Sequence, residues 1–113
     1  MKYKLEKVDV HLKQKLNDPY FKELYELEQQ KLGLVKKIIA YRISNDITQG
    51  DLAEQVGVTQ QHISKIENCE FADPVTLVKV LLYVGFRVHM RAEPIKAVVR
   101  KRIKRVIQKL AIT

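Results

Sequence analysis

Apolar residues along the chain recur at helical spacing in several stretches and alternate in one. Leu24, Leu27, Leu34, Ile38 and Tyr41 stand three, four or seven residues apart. Asp18-Pro19 ahead of them reads as an N-cap followed by a first-turn proline. The spacing therefore predicts one long helix up to Ser44-Asn45, softened at Gly33. Two short helices are predicted next, Gln49 to Val56 and Thr59 to Glu67, with only Gly57 and Val58 between them. Asp73-Pro74 opens a helix that is apolar nearly all round, through Leu77, Val78, Leu81 and Leu82, and Gly85 supplies its stop. Phe86, Val88 and Met90 then alternate with Arg87, His89 and Arg91, the period of a strand with one buried face. Beyond Pro94, Ile95, Val98, Val99, Ile103, Val106, Ile107 and Leu110 mark one face of a second amphipathic helix. The first seventeen residues read two ways: Val10, Leu12 and Leu16 after Asp9 suit a short helix, while Tyr3, Leu5 and Val8 suit an extended run.

The two short helices carry the most information, because a tight crossing fixes residue size and polarity at set offsets. Leu52, Val56, Val58, Ile63 and Ile66 supply an apolar inner seam, and Ala53 is small where the helices touch. Gly57 falls where the chain must turn with positive φ, a conformation that costs a residue bearing Cβ about 1 kcal/mol or more. Any antiparallel helix pair would show the apolar period, but it would not require both Ala53 and Gly57 at those places. The outer face of the second helix carries Thr59, Gln60, Gln61, Ser64 and Lys65, uncharged or basic, where a merely solvated face favours Glu and Lys. Glutamine at the start of a helix laid in the major groove can bond an adenine edge with both amide atoms, which makes Gln60 and Gln61 candidate base readers.

Charge changes the picture by its placement. The 113 residues have a formal net charge of +8, yet residues 1–93 carry 14 Lys/Arg against 13 Asp/Glu. Residues 94–113 hold Lys96, Arg100, Lys101, Arg102, Lys104, Arg105 and Lys109 with no acid. The predicted reading stretch is itself acidic, with Asp51, Glu54, Glu67 and Glu70 against Lys65. Phosphate attraction must then come from backbone N–H groups, Lys36, Lys37, Arg42 and a second protomer. We expect the apolar stripe of the tail to face protein and its cations to face phosphate. Chemistry of other kinds finds no foothold: His11, His62 and His89 are not at ligand spacing with Cys69 or with each other, and no phosphate loop or nucleophile motif is present. The chain is read as a non-enzyme without cofactor or metal. With one cysteine, no apolar run of spanning length and no secretory signal, it is expected to be soluble and cytoplasmic, away from membranes.

From Thr48 through Leu52, Ala53, Gly57, Gln60, Gln61 and Ile63 to Asn68, the sequence resembles the Xre and lambdoid phage repressor family, a likeness that extends over residues 34–85. The resemblance implies a lambda-repressor-like domain in which Gln49 touches phosphate and Gln60, Gln61 and Lys65 face bases, with Ser64 beside them. Thr48, Thr59, His62, Asn68, Lys36 and Lys37 are the further phosphate candidates. It also implies a salt bridge joining Arg42 to Glu67. Cys69 departs from the family's usual glycine after the recognition helix, so either Asn68 takes a left-handed cap or the loop is shifted. The expected architecture is all-α, four to five helices with a long N-terminal helix, one short C-terminal strand and a basic amphipathic tail. Its expected divisions are a helical extension at 1–33, the helix-turn-helix with a dimerisation strand at 34–93, and the tail at 94–113.

The Asp-Pro-initiated helix leading into the motif, followed by Leu82, Gly85, the segment from Phe86 to Ala92 and Pro94, resembles the HigA-type antitoxins of bacterial toxin–antitoxin pairs. That resemblance implies a homodimer joined through Leu82, Phe86, Val88 and Met90. It further implies repression of the chain's own operon on a double-stranded operator, and neutralisation of a RelE-fold, HigB-like ribonuclease. A stand-alone phage or plasmid repressor of the Xre type is the alternative.

Overall fold

In the computed structural model, which describes residues 17–71 and 73–112, five helices form: α1 Pro19–Ser44, α2 Gln49–Val56, α3 Gln60–Glu67, α4 Pro74–Tyr83 and α5 Ala97–Ile112. Each of the first four starts where a short polar side chain satisfies N–H groups that have no helical partner. Asp18 accepts the Tyr20 N–H at 2.9 Å. Thr48 and Asp51 form a reciprocal capping box, with both bonds at 3.0 Å. Thr59 accepts the His62 N–H at 3.2 Å. Asp73 accepts the Val75 N–H at 3.0 Å and the Thr76 hydroxyl, with Pro74 in the first turn behind it.

The ends are equally local. α1, α3 and α4 each finish in a Schellman motif, in which a 6→1 backbone bond and a 5→2 bond close over one residue with positive φ. The pairs are Ile47 to Arg42 with Asp46 to Ile43, Glu70 to Lys65 with Cys69 to Ile66, and Phe86 to Leu81 with Gly85 to Leu82. The left-handed residues are Asp46, Cys69 and Gly85, and Gly57 plays that part after α2. The cap after α3 thus belongs to Cys69 at φ +63°; Asn68, at φ −94°, does not take it. The softening expected at Gly33 is also absent, since α1 is unbroken through that residue and its last turns pack on the core.

The chain forms two compact units, residues 29–91 and residues 1–28 with 92–113. In the first, Ile38 from α1, Leu52, Ala53 and Val56 from α2, Ile63 and Ile66 from α3, and Leu77, Val80 and Leu81 from α4 are buried together with Val84. Ile38, Leu52, Ile63, Val80 and Leu81 are fully enclosed, so truncating any of them to Ala costs about 2–5 kcal/mol. Tyr41, Ile47, Val58 and Phe71 close the rim. In the second unit, α5 turns Val99, Ile103 and Val106 inward to half-burial, and Arg102 donates to the Asn17 carbonyl at 3.2 Å. The helix begins at Ala97, leaving Ile95 before it.

The strand expected over Phe86–Ala92 does not form: residues 86–96 have no regular secondary structure, and no strand occurs among the described residues. A strand exists through its ladder, and among the described residues no partner strand lies alongside. Of the three alternating apolar residues only Val88 packs on the core, while Met90 is 86% exposed. Residues 1–16, where helix and extended readings compete, lie outside the described residues. Among the described residues no helix is long and apolar enough to cross a membrane.

Candidate nucleic-acid interface

The crossing of α2 and α3 rests on the positions singled out by spacing. Ala53 is buried at the crossing, and its carbonyl accepts both the Gly57 and Val58 N–H groups at 2.9 Å, which folds the chain back within three residues. Gly57 has φ +83°, a left-handed conformation that a residue with Cβ reaches only under strain. Lys79 of α4 donates to the Gly57 carbonyl at 3.4 Å, and the Tyr83 hydroxyl donates to Gln55 at 3.1 Å, so α4 braces the turn from behind. Sequence pattern gave no signal for Tyr83; Lys79, the one charge on an apolar helix, was a visible oddity.

A second tie spans the two ends of the motif. Arg42 Nε and Nη2 donate to the two carboxylate oxygens of Glu67 at 2.7 and 2.6 Å, a fork-to-fork pair, and Nη1 donates to the Ile47 carbonyl at 3.2 Å. Gln49 adds a third donor to Glu67 at 3.2 Å. The Glu67 side chain is only 6% exposed, and its bonds to Arg42 hold that guanidinium above its ordinary pKa, against the opposing pull of burial. The end of α1, the start of α2 and the end of α3 are thereby fixed to one carboxylate.

What remains outward is the first turn and outer face of α3. Gln60, Gln61, His62, Lys65 and Asn68 are exposed and Ser64 is half-buried. The Gln60 amide lies over α2 at Gly50, where an added Cβ would stand 3.3 Å from its Oε1. Thr48 and Thr59 stand at the N-terminal ends of α2 and α3, their oxygens engaged as caps, and the Thr59 O–H remains a donor. His62 and Lys65 border a groove with Ile66, Glu70, Phe71, Asp73 and Thr76. Lys36 and Lys37 sit elsewhere, in a groove lined by Tyr41, Val84 and Phe86, where the Lys37 ammonium is 4.7 Å from the Phe86 ring centre. Leu82, Phe86 and Met90 are exposed, whereas Val88 is drawn onto the core. Among the described residues no three His, Cys, Asp or Glu side chains are grouped to hold a metal.

Two carboxylates at the helix starts are shifted in the same sense. Asp51 is held below the usual carboxylate range by the Thr48 N–H and hydroxyl. Asp73 is held below it chiefly by the Thr76 hydroxyl, with the backbone N–H groups of Val75 and Thr76 assisting.

Neither the curated proteins nor the solved structures gave a significant match to this chain. A family model does: residues 38–81, from the buried Ile38 of α1 through α2 and α3 to Leu81 of α4, match the Helix-turn-helix family. Over those residues, fewer than half of the chain, the protein is thus similar to the helix-turn-helix domains of DNA-binding transcription regulators.

Proposed function

We propose that the chain is a sequence-specific transcription repressor that lays α3 in the major groove and binds its operator as a homodimer. The observation that carries this is the pair of exposed glutamines, Gln60 and Gln61, on the first turn of a helix whose position is fixed by Ala53, Gly57 and the Arg42–Glu67 pair. Gln60, Gln61, Ser64 and Lys65 face base edges. Thr48, Gln49, Thr59, His62 and Asn68 surround them as phosphate donors, with Lys36 and Lys37 acting only where the duplex reaches the far side of α1. Selecting a consensus from a random duplex library with the full chain tests the reading. A pseudo-palindromic site with half-sites about 34–36 Å apart is expected. Gln60→Ala or Gln61→Ala should cost about 1–3 kcal/mol on that site and relax one position in each half. Equal losses on selected and random DNA would remove both glutamines from the reading role.

Within this class the narrower role proposed is that of a HigA-type antitoxin, which represses its own operon and neutralises a RelE-fold ribonuclease. Its support is the sequence resemblance around Asp18-Pro19 and Pro94; the strand that formed part of that resemblance is not present among the described residues. A small basic ribonuclease reading frame beside the gene, whose product co-purifies with the chain, is the expected result. A gene with no such neighbour would leave the stand-alone repressor.

A further inference from the structure

We infer that α5 is a second DNA-binding element that grips duplex phosphates regardless of sequence and supplies the cations the helix-turn-helix lacks. This rests on the DNA-binding reading above and adds a separate surface to it.

At 3.6 residues per turn, Arg100 and Lys104 form one row along the helix, and Lys101, Arg105 and Lys109 form the next, with cations every ~6 Å along each row. Both rows are exposed, and they lie opposite the half-buried stripe of Val99, Ile103 and Val106. Arg102 is the exception: on the flank of the arc, it is spent on the Asn17 carbonyl. The other five make no ion pair among the described residues, although Asp18, Glu23 and Glu26 belong to the same unit. An array of like charges that the described residues leave unneutralised raises the energy of the isolated chain and is relieved by a polyanion.

The occupant follows from charge and from the buried face. A helix that binds lipid keeps its apolar face for the bilayer, whereas the central stripe of α5 is turned into its own unit. Duplex DNA offers one phosphate per ~3.4 Å of each strand, a density matched to two adjacent rows of cations. The helix-turn-helix needs such help: around α3 the chain places Asp51, Glu54 and Glu70 with Lys65 as the single exposed cation. Residues 94–113 hold seven cations and no acid, so nearly all of the +8 net charge is concentrated there.

The test uses the full chain carrying Arg100→Gln, Lys101→Gln, Lys104→Gln and Arg105→Gln, glutamine being a good helix former. Circular dichroism checks that α5 persists, and fluorescence anisotropy measures affinity for a random 30-bp duplex and for a selected site across salt. Loss of four contacts makes the log–log salt slope shallower by about 3.6, so the fall in affinity between about 50 and 200 mM becomes roughly a hundredfold smaller. The same change is expected on both duplexes, with the preference between them intact. Single variants Lys101→Gln and Lys104→Gln, each expected to move the slope by about 0.9, keep the test available if the fourfold variant loses helix. An unchanged slope with α5 intact overturns the proposal. So does tighter binding of single-stranded RNA, or of phosphatidylserine vesicles, than of random duplex. If selection yields no consensus while the slope still shifts, base reading fails and this proposal stands; if Gln60 and Gln61 set a preference while the slope is unmoved, the reverse holds.

Discussion

Cys69 shows how much one residue can hide from sequence. Three helix ends share one hydrogen-bond pattern, and the one after α3 closes over a cysteine at φ +63°. The motif tolerates it because the two backbone bonds, at 2.8 and 2.9 Å, outweigh a left-handed strain of about 1 kcal/mol. The break after α3 is visible in the sequence, but its pattern points to Asn68 or a shifted loop for the cap, since nothing in a residue's identity announces that it will bear strain. Cys69→Gly should therefore raise stability by about 0.5–1 kcal/mol, whereas Cys69→Val should lower it by at least as much, since a β-branched residue is a true outlier at positive φ. Urea midpoints read both, and the opposite order would place the strain elsewhere. Asp51 and Asp73 carry the second prediction at this scale. Each carboxylate is held below its ordinary range in the folded chain, so its contribution is complete above the unfolded value near about 4 and is lost as pH falls from there. The double variant Asp51→Asn, Asp73→Asn should be less stable at pH 7 and lose less on going to pH 3. An acid limb of unaltered steepness would take these caps out of the account.

At the scale of elements, the first four helices are legible because each carries its own start signal, α5 by its apolar period, and the α2–α3 pair because a close crossing demands Ala53 and Gly57. The segment after Gly85 misleads for the complementary reason. Alternation of Phe86, Val88 and Met90 describes a strand only where another strand supplies the ladder, and that is a property of the surroundings, not of the segment. The Glu67 network lies between these cases: Arg42 is 25 residues away in sequence, so only family resemblance pairs the two, while the part played by Gln49 is visible in neither pattern nor spacing. Because Glu67 is nearly enclosed, Arg42→Ala leaves a carboxylate with one neutral donor and should cost about 2–4 kcal/mol. Glu67→Gln with Arg42→Met should recover part of that loss, a result a surface ion pair would not give. Gly50→Ala separates the site from the scaffold. It removes a helical glycine, worth about 0.5–1 kcal/mol of stability, yet its new methyl pushes against the Gln60 amide 3.3 Å away. A higher melting temperature together with weaker discrimination on a selected site is expected; if discrimination were unchanged, the seat of Gln60 on α2 would have no bearing on reading.

For the whole molecule, a repressor of the kind proposed above must gather affinity from a domain whose α3 would span only a few base pairs. One copy of α3 offers a short reading face, and a two-fold pair doubles it at the cost of a single association. The unit that holds α3 exposes material for such a pair: Leu82 is 56%, Phe86 39% and Met90 86% exposed, and the Lys37 ammonium lies over the Phe86 ring. Soluble domains scatter single apolar residues on their surfaces without consequence, but here three exposed ones fall within nine residues, Leu82 on α4 and Phe86 and Met90 after it, candidates for a shared patch. None of the three belongs to the buried core, so changing Leu82 and Met90 to Asp is expected to spare the fold, which circular dichroism checks, and to bear on association. Light scattering at micromolar concentration is expected to give twice the chain mass for the parent and the chain mass for the double variant. On a full palindrome the variant should lose affinity by at least two orders of magnitude, corresponding to about 2.7 kcal/mol or more, while binding a lone half-site as the parent does. A parent that scatters as a monomer and binds one half-site as tightly as two would mean that the patch serves something other than a second copy.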